Sequence, residues 1–368
     1  MNVPKLRFKE FTDEWQKKTL KSVSSYFKSG KSIKSNDILK NAPYPVYGGN
    51  GLRGYTNTFN FDGNASLIGR QGALCGNVTY VKGKNYMTEH AVIVQSNYDN
   101  YNKFLFYILL SMNLNQYSTQ SAQPGLSVNN LLELFNYFPN IQEQEKIAKF
   151  LTTVDKKITN LENTITSLEN QKKGLLQQIF SQKLRFKDKN SNNYPNWEKK
   201  KLEDIAIFLD NKRKPLEQSE RIHGKYPYYG ASGIIDYIND YIFDEELVLL
   251  SEDGANIIDR NYPICYIATG KYWVNNHAHV LKVKSQYVNK FICESLEQLN
   301  YTKYNTGTAQ PKLNQDVCRK IILSIPCLEE QTKIANFLST FDRKLENQKA
   351  QLEHWKQIKK GLLQQMFV

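Results

Sequence analysis

After Pro139, and again after Pro326, the chain changes rhythm. Val154, Ile158, Leu161, Ile165, Leu168, Leu175 and Ile179 follow at alternating steps of four and three residues, with Lys172 in the one skipped slot. The same register reads Phe341, Leu345, Gln348, Leu352, Trp355, Lys359, Leu362 and Met366 further on. An apolar a/d seam of this kind predicts two long helices, each following a proline and opening on acidic residues that suit a helix N-terminus. Elsewhere the pattern is strand-like. Short runs such as "NVTYV", "AVIV", "LVLL" and "YPICYIA" sit between turns rich in Gly, Asn and Tyr. A shorter helix is predicted near Lys103–Leu114 and another near Lys290–Leu299.

These patterns occur twice in the same order. "LRF" at Leu6 returns at Leu184, and "EWQKKTL" at Glu14 returns as "NWEKKKL" at Asn196. "YPVYGGNG" at Tyr44 answers "YPYYGASG" at Tyr226, and "LIGRQGA" at Leu67 answers "LLSEDGA" at Leu249. Then come "EHAVIV"/"NHAHVL", "SAQPGL"/"TAQPKL", "IQEQEKIAKFL"/"LEEQTKIANFL" and finally "KKGLLQQIF"/"KKGLLQQMF". One duplicated unit is the reading. The expected fold is α+β, with two similar mixed α/β globules at 1–140 and 182–327 and helical spacers at 141–181 and 328–368. One amphipathic helix alone would leave an apolar stripe in water. The economical arrangement is an antiparallel intramolecular coiled coil with an internal pseudo-twofold repeat, although a parallel pair would satisfy the same pattern.

Composition narrows the function class. Apolar residues at 40% and aromatics at 12% mark a folded chain. With no apolar run long enough to span a bilayer and no signal-peptide core at the start, a cytoplasmic protein is expected. Five scattered cysteines without a CxxC pair point to buried thiols rather than disulfides or zinc. The formal net charge is +13, with its largest excess in residues 1–140. A nucleic-acid partner is the natural counterpart of that charge.

Enzyme motifs are missing: there is no GxxxxGK[ST], HExxH or GxSxG. The one catalytic-looking stretch is "SEDG" at Ser251–Gly254, whose Glu252 and Asp253 could hold a metal for a nuclease. Its counterpart in the first repeat is "GRQG", with Arg70 and Gln71 in those positions. Inverted charge suits two loops reading different targets better than one catalytic site kept twice. The candidate base readers are therefore Asn50, Arg53, Arg70 and Gln71 in the first repeat and Ser232, Glu252 and Asp253 in the second. Arg pairs with guanine, Asn or Gln with adenine, and a carboxylate with cytosine N4. Lys28, Lys31 and Lys34, and likewise Lys212, Arg213 and Lys214, form basic-polar clusters suited to phosphate contacts. His90 and His277 align between repeats and are read as core or turn residues.

Taken in order, "YPVYGGNG"/"YPYYGASG", "SAQPGLSVNNL"/"TAQPKLNQDVC", "P-x-x-x-EQ-x-KIA-x-FL" and "KKGLLQQ-x-F", each present twice, resemble the specificity subunit of type I restriction–modification enzymes. The resemblance spans essentially the whole chain. It implies a subunit without catalytic activity that reads a bipartite, asymmetric double-stranded DNA target and recruits two modification subunits. Those carry S-adenosylmethionine and methylate adenine at N6, and restriction subunits can join with ATP and Mg for translocation and cleavage; no cofactor is expected on this chain. The outer helix faces carrying "EQEKIAKF" and "EEQTKIANF" are the expected docking sites for the modification subunits. A lone metal-dependent nuclease, or a basic coiled-coil scaffold without sequence preference, remain the alternatives.

The Val154–Ile179 seam is roughly 39 Å long at the α-helical rise. That is comparable to one turn of B-DNA, about 34–36 Å between half-sites on one face. Removing one heptad from both helices should shorten the unread spacer between the two half-sites, as mapped from methylated genomic sites. An unchanged spacer would rule out the helices as its ruler.

Overall fold

The computed structural model describes residues 3–72, 74–119 and 124–368. Ala73 of "LIGRQGA" and Ser121–Gln123 of "SAQPGL" lie outside the described residues. Asn140 opens the first long helix, its side chain accepting from the Glu143 amide at 2.9 Å, and the helix runs Ile141–Phe180. Its 40 residues extend roughly 60 Å. Soon after its end, Gln182 takes a left-handed conformation at φ 59°. The second long helix is Leu328–Gln365. The chain divides into two units, Met1–Asn163 with Lys349–Val368, and Thr164–Gln348, so each long helix contributes one segment to each unit.

In the first unit one four-stranded antiparallel sheet is ordered Ser24–Ser29, Ala91–Ser96, Ala65–Gly69, Val78–Val81. A second is ordered Gly51–Thr56, Tyr44–Gly48, Lys84–Met87, Phe61–Asp62, with its middle pair parallel. The helix Asn102–Ser111 buries Phe104, Leu105, Tyr107 and Ile108 in the core. The second unit repeats this plan. Ala206–Phe208, Ala278–Val283, Leu247–Ser251 and Cys265–Ala268 form one sheet. Gly233–Ile238, His223–Gly230, Lys271–Val274 and Phe243–Asp244 form the other. Its short helix is Asn289–Glu297. Cys75, Cys265, Cys293 and Cys318 are buried free thiols, and Cys327 is partly buried. Among the described residues, no helix is long and apolar enough to cross a membrane.

The repeated motifs at the start of each long helix are structural. Arg7 of the first "LRF" meets Glu143 through two hydrogen bonds of 2.7 and 2.8 Å, and Glu143 is fully buried. Arg185 of the second "LRF" meets Glu330 the same way, at 2.7 Å twice. The neighbouring glutamine completes the joint. Gln144 accepts from the Tyr101 amide and donates to the Pro139 carbonyl, while Gln331 accepts from the Val288 amide and donates to Pro326. A buried carboxylate needs such a partner, because an uncompensated charge in this position costs about 3–5 kcal/mol. The Glu-Gln pair of each motif therefore lies outside the outer helix faces expected to dock modification subunits. Glu143, Gln144, Ile147 and Ala148 are buried, as are Glu330, Gln331, Ile334 and Ala335. Only positions such as Gln142, Lys149 and Phe150, or Glu329, Thr332 and Asn336, remain exposed.

Further along, the helix segments pair antiparallel within each unit. In the first, Lys359 bonds Asp155 at 2.7 Å and Lys356 bonds Glu162 at 3.3 Å. In the second, Lys172 bonds Asp342 at 2.6 Å. Lys172 and Lys359 are the skipped seam slots, and they make equivalent ion pairs. Val154, Leu161, Ile165, Leu168 and Leu345 are buried in the seam, while Ile179 and Met366 are buried in the globular cores. Ile158, Leu175, Phe341, Leu352, Trp355 and Leu362 are partly buried. Leu176, outside the heptad register, is buried where Leu175 is not, because the apolar face here widens to meet a globular core. Phe180 packs edge-on against Trp197 and beside Phe291 in the second unit. Phe367 does the same with Trp15 and Phe104 in the first.

Candidate nucleic-acid interface

In each unit four loops converge at one end of the sheets, held by the same backbone hydrogen bonds. In the first, Arg70 N donates to His90 O at 3.0 Å, Leu126 N to Arg70 O at 2.9 Å, and Gly72 N to Pro124 O at 3.0 Å. Thr88 N reaches Tyr47 O at 2.8 Å. In the second, Glu252 N donates to His277 O at 2.9 Å, Leu313 N to Glu252 O at 2.7 Å, and Gly254 N to Pro311 O at 3.0 Å. Asn275 N reaches Tyr229 O at 3.0 Å. Pro124 and Leu126 in the first unit, and Pro311 and Leu313 in the second, therefore clamp the loop that follows the central strand. Gly72 (φ 83°) and Gly254 (φ 110°) take the left-handed conformation this clamp requires.

The structure brings most of the sequence-chosen residues to these ends. Asn50 and Ser232 are exposed at the tips of the equivalent hairpins, and Arg53 is exposed with its side chain lying across Gly48. Gln71 is exposed beside Gly125. Arg70 is part-buried, with Nη1 donating to Ser29 Oγ at 3.0 Å and Nε buried without a hydrogen-bond partner among the described residues. Lys28 and Lys31 are exposed alongside, where Gly30 N and Lys31 N bond Ala91 O and Met87 O; Lys34 is exposed farther along, ahead of the short turn Ser35–Asp37. In the second unit Lys212 and Lys214 are exposed, whereas Arg213 is turned inward.

Arg213 enters an ion network that sequence reading missed. Its Nη1 donates to Glu252 Oε2 at 2.6 Å and to Ala278 O at 2.9 Å, and its Nη2 lies 3.5 Å from Asp210 Oδ2. Asp210 accepts from Val280 N, from Gln315 Nε2 at 2.7 Å and from His279 Nδ1 at 2.7 Å. His279 Nε2 faces the Leu313 carbonyl at 2.7 Å. With an acceptor at each ring nitrogen, His279 is held as the doubly protonated imidazolium. Burial is the largest single influence and opposes that charge, but the hydrogen bond and charge of Asp210 together with neighbouring Cys318 outweigh it and lift the pKa to about 10. Burial likewise opposes charge on Asp210, but the bonds from His279 and Val280 and the nearby Arg213 hold it below the usual carboxylate value.

The first repeat has Ser29, Val92 and Arg70 where the second has Asp210, His279 and Glu252. A histidine and an aspartate appearing together in strand positions that are uncharged in the first repeat was the available signal. Asp210, Glu252 and His279 also place three ligand-type atoms within 4.8 Å of one another. Their lone pairs are committed, however: both imidazole nitrogens carry protons, and Arg213 stands between the carboxylates. That donor set suits a self-neutral ion network better than a cation site. His277, read from sequence as a core or turn residue, is half-exposed and bonds Asp253 at 2.8 Å.

A family model described as the type I restriction modification DNA specificity domain matches the chain twice, over residues 12–170 and 194–354. The chain is 44% identical over 154 residues to the specificity subunit of the type I restriction enzyme EcoprrI of Escherichia coli, a stretch covering 41% of this chain and 38% of that protein. It is 25% identical over 207 residues to the type I restriction enzyme MjaVIII specificity subunit of Methanocaldococcus jannaschii, covering 52% of this chain and 47% of that one. The matched stretches span less than half the length of either relative. In fold the chain is similar to the crystal structure of a type I restriction-modification system S subunit from M. genitalium. That match has a TM-score of 0.72 at 20% identity and covers 100% of this chain and 99% of the other.

The His279 charge carries a pH signature. Its folded pKa lies above the ordinary histidine value, so its contribution is complete below about pH 6.5 and is lost as pH rises through about 10. Urea unfolding of wild type and His279→Gln should show a stability gap that is widest near pH 6 and narrows toward pH 10. A gap that is constant or grows with pH would show that His279 is buried neutral.

Proposed function

The chain belongs to the type I restriction modification DNA specificity domain family, and on that premise we propose that it is the non-catalytic DNA-recognition subunit of a type I restriction–modification complex. Each unit reads one half of a bipartite, asymmetric duplex target. The observation that carries this reading is the pair of loop clusters: the same backbone clamps hold the loop of Arg70 and Gln71 in one unit and the loop of Asp253 in the other, beside the exposed hairpin tips Asn50 and Ser232. Backbone bonds do not depend on side-chain identity, so the scaffold stays constant while the base-facing groups change. Lys28, Lys31, Lys34, Lys212 and Lys214 serve as phosphate contacts that set position on the duplex. Residues 1–140 and 182–327 supply the readers, and 141–181 and 328–368 supply the helices.

Methylation falls to two modification subunits that bind S-adenosylmethionine and act at adenine N6. Restriction subunits bring ATP and Mg when they join, and the complex works in the cytoplasm on cellular DNA. The nuclease alternative is the weaker one, because Glu252 is neutralised by Arg213 at 2.6 Å and by Lys312 at 3.5 Å.

Co-expression with modification subunits, followed by genome-wide mapping of methylated adenine, tests the reading. One bipartite motif is expected, and Arg70→Ala should relax one half only, at a cost of about 1–3 kcal/mol in discrimination at the affected position. Methylation without a bipartite motif, or loss of both halves together, would refute it. Cleavage of duplex DNA by the purified chain with magnesium alone would favour the nuclease.

A further inference from the structure

The two acidic side chains at the second unit's loop face different environments. Glu252 is drawn inward. Its carboxylate is bound by Arg213 at 2.6 Å, with Lys312 Nζ at 3.5 Å, and its side chain is only 13% exposed. The contacts then close a ring: Glu252 to Arg213, Arg213 to Asp210, Asp210 to His279, His279 to the Leu313 carbonyl, and the Leu313 amide back to the Glu252 carbonyl. Two cations and two anions balance within this ring. A carboxylate so paired is neutralised by its cations and largely shielded from an incoming base.

Asp253, one residue on, is 21% exposed and has a different partner. Its two oxygens lie 3.0 and 2.8 Å from His277 Nδ1, which donates a single proton between them. Each oxygen keeps acceptor capacity, and the imidazole is 49% exposed. The backbone fixes both partners. Glu252 N bonds His277 O, His277 N bonds Asn275 Oδ1 at 2.8 Å, and Asp253 bridges to Lys312 across the clamp.

On the DNA-reading function proposed above, we infer that the Asp253–His277 pair is the base-reading element of the second unit. Glu252, Arg213, Asp210 and His279 are positioning residues that hold its loop. A carboxylate that accepts only, oriented by a histidine, selects an exocyclic amino group in the major groove, and cytosine N4 is the partner that suits it. The pair therefore reads a C·G base pair. The first unit has no such pair: Gln71 stands where Asp253 does, and Glu89-His90 where Asn276-His277 does.

The test uses the full chain in complex with its modification subunits, with methylated adenines mapped for wild type and three variants. Asp253→Asn and His277→Gln should both relax the same C·G position in one half-site, lowering discrimination there by about tenfold or more. The other half should not change. Glu252→Gln should leave every base preference intact and lower the fraction of sites methylated; Glu252→Asp, which keeps the charge for Arg213, should restore much of that fraction. Relaxation by Glu252→Gln instead, or unchanged preferences in Asp253→Asn with normal thermal unfolding, would overturn the inference. A wild-type complex with no bipartite motif would instead refute the DNA-reading function itself, so the two failures are distinguishable.

Discussion

A helix with one apolar stripe cannot stand alone in water, and the rest of this structure follows from how the chain satisfies that constraint. Neither sequence repeat closes its own core. The globule of the first repeat packs around Met366 and Phe367, the last turn of the second long helix. The globule of the second packs around Leu176 and Ile179, from the end of the first long helix. The polar slots of the seam follow the same rule, since Lys359–Asp155 in one unit and Lys172–Asp342 in the other are the same contact made twice. Lysines in an apolar seam weaken it but fix register, a use well suited to helices that must stop in a defined place. The nearly identical nonapeptides thus have equivalent surroundings, which explains why they resemble each other.

The loop clusters obey a different logic. Their clamps are backbone-to-backbone, and glycines at positive φ make the turns, so side chains can diverge without disturbing the frame. The electrostatics diverge accordingly. The second unit neutralises its charges internally through Asp210, His279, Arg213 and Glu252. The first leaves Arg70 against a serine hydroxyl, with Lys28 and Lys31 exposed nearby. The first unit thus keeps its arginine outside any ion network, whereas the second builds a neutralised polar surface there and leaves Lys212 and Lys214 exposed beside it.

Periodicity made the long helices legible, and self-similarity made the duplicated α+β plan legible, because both rest on patterns spread over many residues. The helix near Lys103–Leu114 was legible too, and is Asn102–Ser111. What the pattern misjudged were faces. A heptad register selects one side of a helix and so named Leu175, whereas contact with a globule broadens the buried side to Leu176. The "EQ" motif looked like an outward polar face because buried charge is rare, and only the Arg7 and Arg185 partners, more than a hundred residues away, make it tolerable. The His279 network is hidden for the same reason: its members run from Asp210 to Gln315, and no local spacing connects them.

The reciprocal completion of the two units is the account's central claim, and hydrogen–deuterium exchange tests it most directly. In the variant Met366→Ala with Phe367→Ala, amide exchange should accelerate in the first repeat, around Trp15 and Asn102–Ser111, while the segments Leu247–Ser251 and Asn289–Glu297 keep their protection. Faster exchange confined to the second repeat, or no change in either, would contradict it.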